Sequence, residues 1–333
     1  MVRSSGTKPK PIKNIQGVVF PSVGRCIYCG SDGGEDGLRR EHVIPYSLGG
    51  NAEILGASCK SCEGKTSYID GYLANSTFDH FRIHARIQTR RPKDRPAKLP
   101  ARIAVGGTQR TVEMPIADHP HFVVLPALPL PGILRGAEPF DPLPKDLKAW
   151  SYHALPDNLA DTLGLRPGER AQVRSAGKIN ISAFARAIAK VAHCHAVIQF
   201  GIDGFYPILP DLIRGLHPHF PYFVGSPENA TPPPIEGALH RVTFEKWKRG
   251  RVNLIVCSVR LFANSGTPEH GMPIYLAVVG TRRRRAAAPQ KSTPRKTTVR
   301  AHSSASASKR QGSGQGAPSS DGASRQRAKS PRP

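Results

Sequence analysis

The chain has 333 residues and a formal charge of +24, from 48 Lys and Arg against 24 Asp and Glu. That length allows two domains, each with its own core, and so large a basic surplus favours a polyanionic partner. No run reaches the roughly 18 consecutive apolar residues of a membrane helix, and the basic N-terminus lacks the apolar core of a signal peptide, so neither a membrane span nor secretion is expected.

Residues 1–20 are basic and Pro- and Gly-containing, and are expected to be a flexible N-terminus. Beyond them, four of the six cysteines fall in two Cys-x-x-Cys pairs, Cys26/Cys29 and Cys59/Cys62. A cytoplasmic protein keeps its thiols reduced, so the pairs point to a metal rather than to disulfides. Four thiolates are enough for one tetrahedral structural Zn²⁺; redox pairs are the other reading. Four-cysteine modules ordinarily leave roughly 15–20 residues between pairs, whereas 29 residues separate Cys29 from Cys59. The insertion contains "REHVIPYSLGGN", with Glu41 and His42 side by side ahead of a short apolar run and a Gly-Gly-Asn turn. On its own an acid–histidine pair reads as a surface ion pair, and Asn51 as turn material.

Taken together, Cys-x-x-Cys, the Glu41-His42 pair, "SLGGN" and "ASCKSCEGKTS" resemble the zinc-stapled form of the HNH endonuclease family. The resemblance implies a ββα-metal fold with a first strand near 38–44, a loop over 45–51, a second strand near 53–57 and a helix from about Ser61. It also implies hydrolysis of DNA phosphodiester bonds, with His42 as general base, Asn51 holding the loop and orienting that base, and Glu41 binding a catalytic Mg²⁺ or Mn²⁺. A neutral imidazole suits the base because its pKa lies near working pH, and a divalent ion would stabilise charge on the phosphate and the leaving oxygen. Adjacent strand residues face opposite ways, so Glu41 and His42 can serve one ion only where the strand is irregular. The chain departs from the family on the helix, where Glu63 stands in place of the usual His or Asn. A carboxylate suits Mg²⁺ or Mn²⁺, and Thr66, Ser67 and Asp70 share its helical face. The alternative for Glu63 is a solvated first-turn acid favoured by the helix dipole.

Past residue 85, "RIQTRRPKDRPAKLP" reads as a linker. "ARIAVGGTQRTVEMPI" alternates around a Gly-Gly turn, a hairpin signal, and the proline-rich "HFVVLPALPLPGIL" reads as an edge strand or extended loop. "ISAFARAIAKVAHCH" is a helix with Phe184, Ile188, Val191 and His195 on one face and Arg186, Lys190 and His193 on another. "RVTFEKWKRGRVNLIVCSVRLFAN" and "PIYLAVVG" have sheet composition, and Cys194 and Cys257 read as packed core thiols. His80 and His84 have i, i+4 spacing, and "DHPHF" and "LHPHF" look coincidental.

From residue 281 the chain has no aromatic residue, 14 Lys and Arg and one Asp, the composition of a disordered basic tail. The expected organisation is α+β: a flexible N-terminus (1–20), a nuclease domain (21–85), an α+β companion (86–280) and the tail (281–333). The expected function is a metal-dependent DNA endonuclease. The alternative is a zinc-stapled nucleic-acid-binding protein without cleavage. Oligomeric state is not legible.

Overall fold

The computed structural model describes residues 17–174 and 179–283, which lie within one compact unit, Met1–Ala286. The tail was expected from residue 281, but Thr281 and Arg282 close a strand that begins at Tyr275; residues 284–333, like residues 1–16, fall outside the described residues. The architecture is α+β, as expected.

The first elements form around the cysteine pairs. β1 (Val18–Phe20) runs parallel to β3 (Ala52–Cys59), which pairs antiparallel with β2 (Leu38–His42). Residues 18–20, expected to be flexible, are thus held in a sheet. Cys59 ends β3 and caps α1 (Lys60–Tyr72) directly. The connection between β2 and β3 explains its two glycines. Gly49 takes φ 90°, and a Cβ on Gly50 would sit 2.0 Å from the carbonyl oxygen of Ile44, so only glycine permits so close a turn. Gly71 lies inside α1; a widened turn over Leu73–Thr77 follows, and α2 (Asp79–His84) continues from it.

The expected linker is packed structure. Arg95 donates to the carbonyl of Ile87, and β4 (Lys98–Val105) begins within the segment, pairing with β5 (Thr108–Pro115) across the Gly106-Gly107 turn. β6 (His121–Pro126) pairs only with β7 (Ala149–Ala154) in a two-stranded sheet, which is where strand prolines are tolerated. Two short helices, α3 (Gly132–Arg135) and α4 (Leu159–Thr162), and β8 (Ala171–Arg174), the third strand beside β4, lead to the central helix.

That helix, α5 (Ile181–Phe200), is capped by Asn180, whose side chain accepts from Ala183 N at 2.9 Å. By length and composition it is apolar enough to cross a membrane, yet 72% of its apolar window is buried inside the protein. It packs on α1 on one side and, on the other, on a five-stranded sheet formed by β9 (Phe205–Pro207), β10 (Val224–Gly225), β11 (His240–Arg249), β12 (Val252–Leu261) and β13 (Tyr275–Arg282). One apolar core joins Cys26, Ile54 and Ile69 to Phe184, Cys257 and Val279, so packing continues across residue 86. Cys194 and Cys257 are fully buried. The expected polar face of α5 is not a solvent face, because Lys190 and His193 are buried as well.

Candidate active site and metal centre

The four cysteines converge. Their Sγ atoms all lie within 4.8 Å of one another, with Cys29 and Cys59 at 3.7 Å. Tetrahedral zinc with bonds of about 2.3 Å sets its sulfurs roughly 3.8 Å apart, so the site fits a structural Zn²⁺. The knuckles meet because Ile27 N donates to Ala57 O at 2.8 Å, docking the first turn onto β3, while Cys62 lies one helical turn beyond Cys59. Burial pushes the Cys26 and Cys62 thiols above their ordinary range, so thiolates here call for a cation. The long insertion between the pairs is β2, its loop and most of β3.

β2 carries the acid–histidine pair, and its register with β3 is irregular between Arg39 and Glu41. Even so, the two side chains part. Glu41 turns inward and is 4% exposed. Its Oε1 is 3.0 Å from Lys190 Nζ, and its Oε2 accepts from Thr66 Oγ1 at 3.2 Å. His42 turns outward to a cavity of about 760 Å³ walled by the 43–51 loop, the start of β3, residues 86–88 and residues 237–240. It lies opposite Glu53 in the ladder, with Nδ1 3.2 Å from Glu53 Oε1 but not aligned for a hydrogen bond. Arg90 Nη2 donates to Nε2 at 2.7 Å, and the same guanidinium sits 5.5 Å from the centre of the Tyr46 ring. Burial holds the His42 pKa below its ordinary value; Glu53 opposes this, and Lys190 and Arg90 add to it. The imidazole is therefore neutral at neutral pH, with the Nε2 lone pair toward the guanidinium.

The other expected site residues are placed as follows. Asn51 borders the same cavity, and its backbone carbonyl accepts from Val18 N at 2.9 Å. Glu63 is half-exposed and paired with Arg39 at 2.8 Å. It does not meet Glu41 or His42; among the described residues only the four cysteines form a group of three or more metal-ligating atoms. The arrangement expected for a catalytic divalent ion, Glu41 with Glu63 beside His42, therefore does not fit: one carboxylate is closed in by an ammonium and the other faces an arginine on the surface. Thr66 and Asp70 do face Glu41's side of the helix, and both are engaged there.

Sequence reasoning missed Glu53, Arg90 and Lys190. Glu53 was within reach, since an antiparallel hairpin closed by the 43–51 loop sets it across from His42. Arg90 lay in the supposed linker, and Lys190 on the supposed polar helix face. His80 and His84 pack with His119 and His121 of "DHPHF", His84 Nε2 lying 3.3 Å from His119 Nδ1, without converging as a metal site.

Residues 26–78 match the model of the family described as HNH endonuclease. No curated protein and no solved structure matches the chain. The segment spanning the two cysteine pairs, β2, β3 and α1 is thus the part of the chain that matches the HNH endonuclease family, and its four cysteines are arranged as a metal site whose donors fit zinc. The family is one of nucleases, and membership of it implies a nucleic-acid substrate.

Proposed function

We propose that the protein is a nuclease that hydrolyses phosphodiester bonds of DNA with His42 as general base. The observation that carries this reading is the neutral His42 imidazole at the wall of an open cavity, with a guanidinium on its reactive nitrogen. In this mechanism the phosphate enters the cavity and draws Arg90 from Nε2, since a guanidinium binds a phosphate more strongly than a neutral imidazole. Nε2 then takes a proton from the attacking water. Glu53 lies beside Nδ1 and stabilises the imidazolium that forms, and Arg90 stabilises the charge gathered on the phosphate oxygens. Water attacks phosphorus, the bond to the leaving oxygen breaks, and that oxygen is protonated from solvent. Cys26, Cys29, Cys59 and Cys62 would hold a zinc ion, which would supply structure only. The basic surface attracts the backbone with little base selectivity.

A nicking assay on supercoiled plasmid tests this directly, comparing zinc-loaded wild type with His42→Ala. Loss of a general base costs about 10²–10⁴-fold in rate, and that loss is expected in a folded variant that retains its zinc. Equal cutting by both proteins would overturn the assignment of the base. One observation favours the second reading, a nucleic-acid-binding protein without cleavage: Glu41 is closed off by Lys190. DNA binding without nicking by either protein would support it.

A further inference from the structure

A single lysine joins the central helix to the hairpin. Lys190 lies midway along α5 and is 0% exposed. Its Nζ is 3.0 Å from Glu41 Oε1 on β2 and 3.0 Å from Asp70 Oδ2 on α1, and it donates to the backbone carbonyl of His42. An ammonium has three N–H donors and no acceptor, and here it meets three oxygen acceptors from two elements. Two carboxylates and a backbone carbonyl are also the hard oxygen donors that Mg²⁺ and Mn²⁺ take. A further oxygen, Asp70 Oδ1, is buried with no hydrogen-bond partner.

On the reading of this segment as an HNH nuclease domain, we infer that the Lys190 ammonium is the resident cation of the cleft between β2 and α1, and that the protein takes no divalent ion there. Isolated buried charges are costly unless paired, and the Glu41–Asp70 pair of acids would repel without a cation between them. A divalent ion and a tethered ammonium answer the same electrostatic need. The ammonium cannot be chelated or exchanged, and its burial leaves no coordination position for a phosphate. Lys190 is therefore a positioning residue: it fixes the main chain at His42, from which the imidazole faces the cavity on the other side of the strand. Cleavage by this domain then draws on His42, Arg90 and Glu53 without an ion at Glu41.

The test is a Mn²⁺ titration of the zinc-loaded full chain, read by electron paramagnetic resonance of free Mn²⁺. Wild type is expected to bind no Mn²⁺ that depends on Glu41. Lys190→Ala is expected to gain one bound Mn²⁺ per chain and a Mn²⁺-dependent rise in Tm, and adding Glu41→Gln should remove both. The inference is overturned if wild type binds one Mn²⁺ that Glu41→Gln abolishes, or if folded Lys190→Ala binds none. If Lys190→Ala does not fold alone, Mn²⁺ in the refolding buffer is expected to restore its circular dichroism spectrum, and no restoration would overturn the inference. None of these readouts depends on cleavage. Failure of the nuclease reading, seen as absence of nicking, is therefore distinguishable from failure of this one.

Discussion

On the inner side of β2, Glu41 meets Thr66 and Lys190, and Lys190 in turn meets Asp70, in a closed cleft where each charged group is held by another part of the protein. One residue later, on the outer side, His42 meets Glu53 and Arg90 at the wall of a cavity. The family motif writes these residues as one unit, but the pleat of the strand divides them. The inner side has the chemistry of a structural ion-pair network. The outer side has a neutral base, an acid beside it and an exposed cation on the base's free nitrogen. Adjacency in a motif therefore does not amount to a shared site, and each half of the pair needs its own test.

The largest expected effect removes the frame from which both sides hang. Structural zinc contributes apparent free energies of about 10–16 kcal/mol in small zinc-finger peptides. Cys62→Ser, or chelation of the metal, is expected to unfold the segment around β2, β3 and α1, with loss of near-ultraviolet dichroism and release of one zinc per chain. A folded, zinc-free protein with an unchanged Tm would show that the apolar core alone suffices.

A second experiment sets the two sides against each other. Breaking a buried ion pair by removing one partner costs about 3–5 kcal/mol, so Lys190→Ala should lower unfolding stability by that much in denaturant titration without added Mn²⁺. His42→Ala removes a partly exposed ring and should cost about 1 kcal/mol or less. Equal losses would erase the distinction drawn between the two sides.

The smallest effect sharpens the outer side alone. Arg90 helps to hold the His42 pKa down, so Arg90→Ala should raise that pKa, read by NMR titration of the imidazole. It should also flatten the salt dependence of DNA binding by about one phosphate contact. An unmoved pKa would mean that Arg90 and His42 are not in contact in solution.

Much of the ββα unit was legible because its determinants are local. Cysteine spacing, turn glycines and a helix beginning at the second knuckle each act within a few residues, and the hairpin over 98–115 and the β12–β13 region follow from alternation and β-branched composition. The edge strand of "HFVVLPALPLPGIL" could be read from its prolines for the same reason. Lys190 could not be read in this way. On a helical wheel it belongs with Arg186 on a polar face, and only the arrival of Glu41 and Asp70 from elements more than 100 residues away makes its burial tolerable. The linker misled for a similar reason: its arginines are solvated by composition, yet Arg90 finds His42 and Arg95 finds the Ile87 carbonyl.

What the sequence determined by itself, then, is the four-thiolate site, the turn that only glycine can make at Gly49 and Gly50, and the identity of the acid and base on β2. The tertiary structure decided what each of these side chains meets. Periodicity records which residues share a face, but whether that face opens to solvent, to a cavity or to a buried charge depends on elements distant in the chain. Glu41 and His42 differ by one position in sequence, and the packing of α5 behind the strand gave one of them a lysine and left the other facing the cavity.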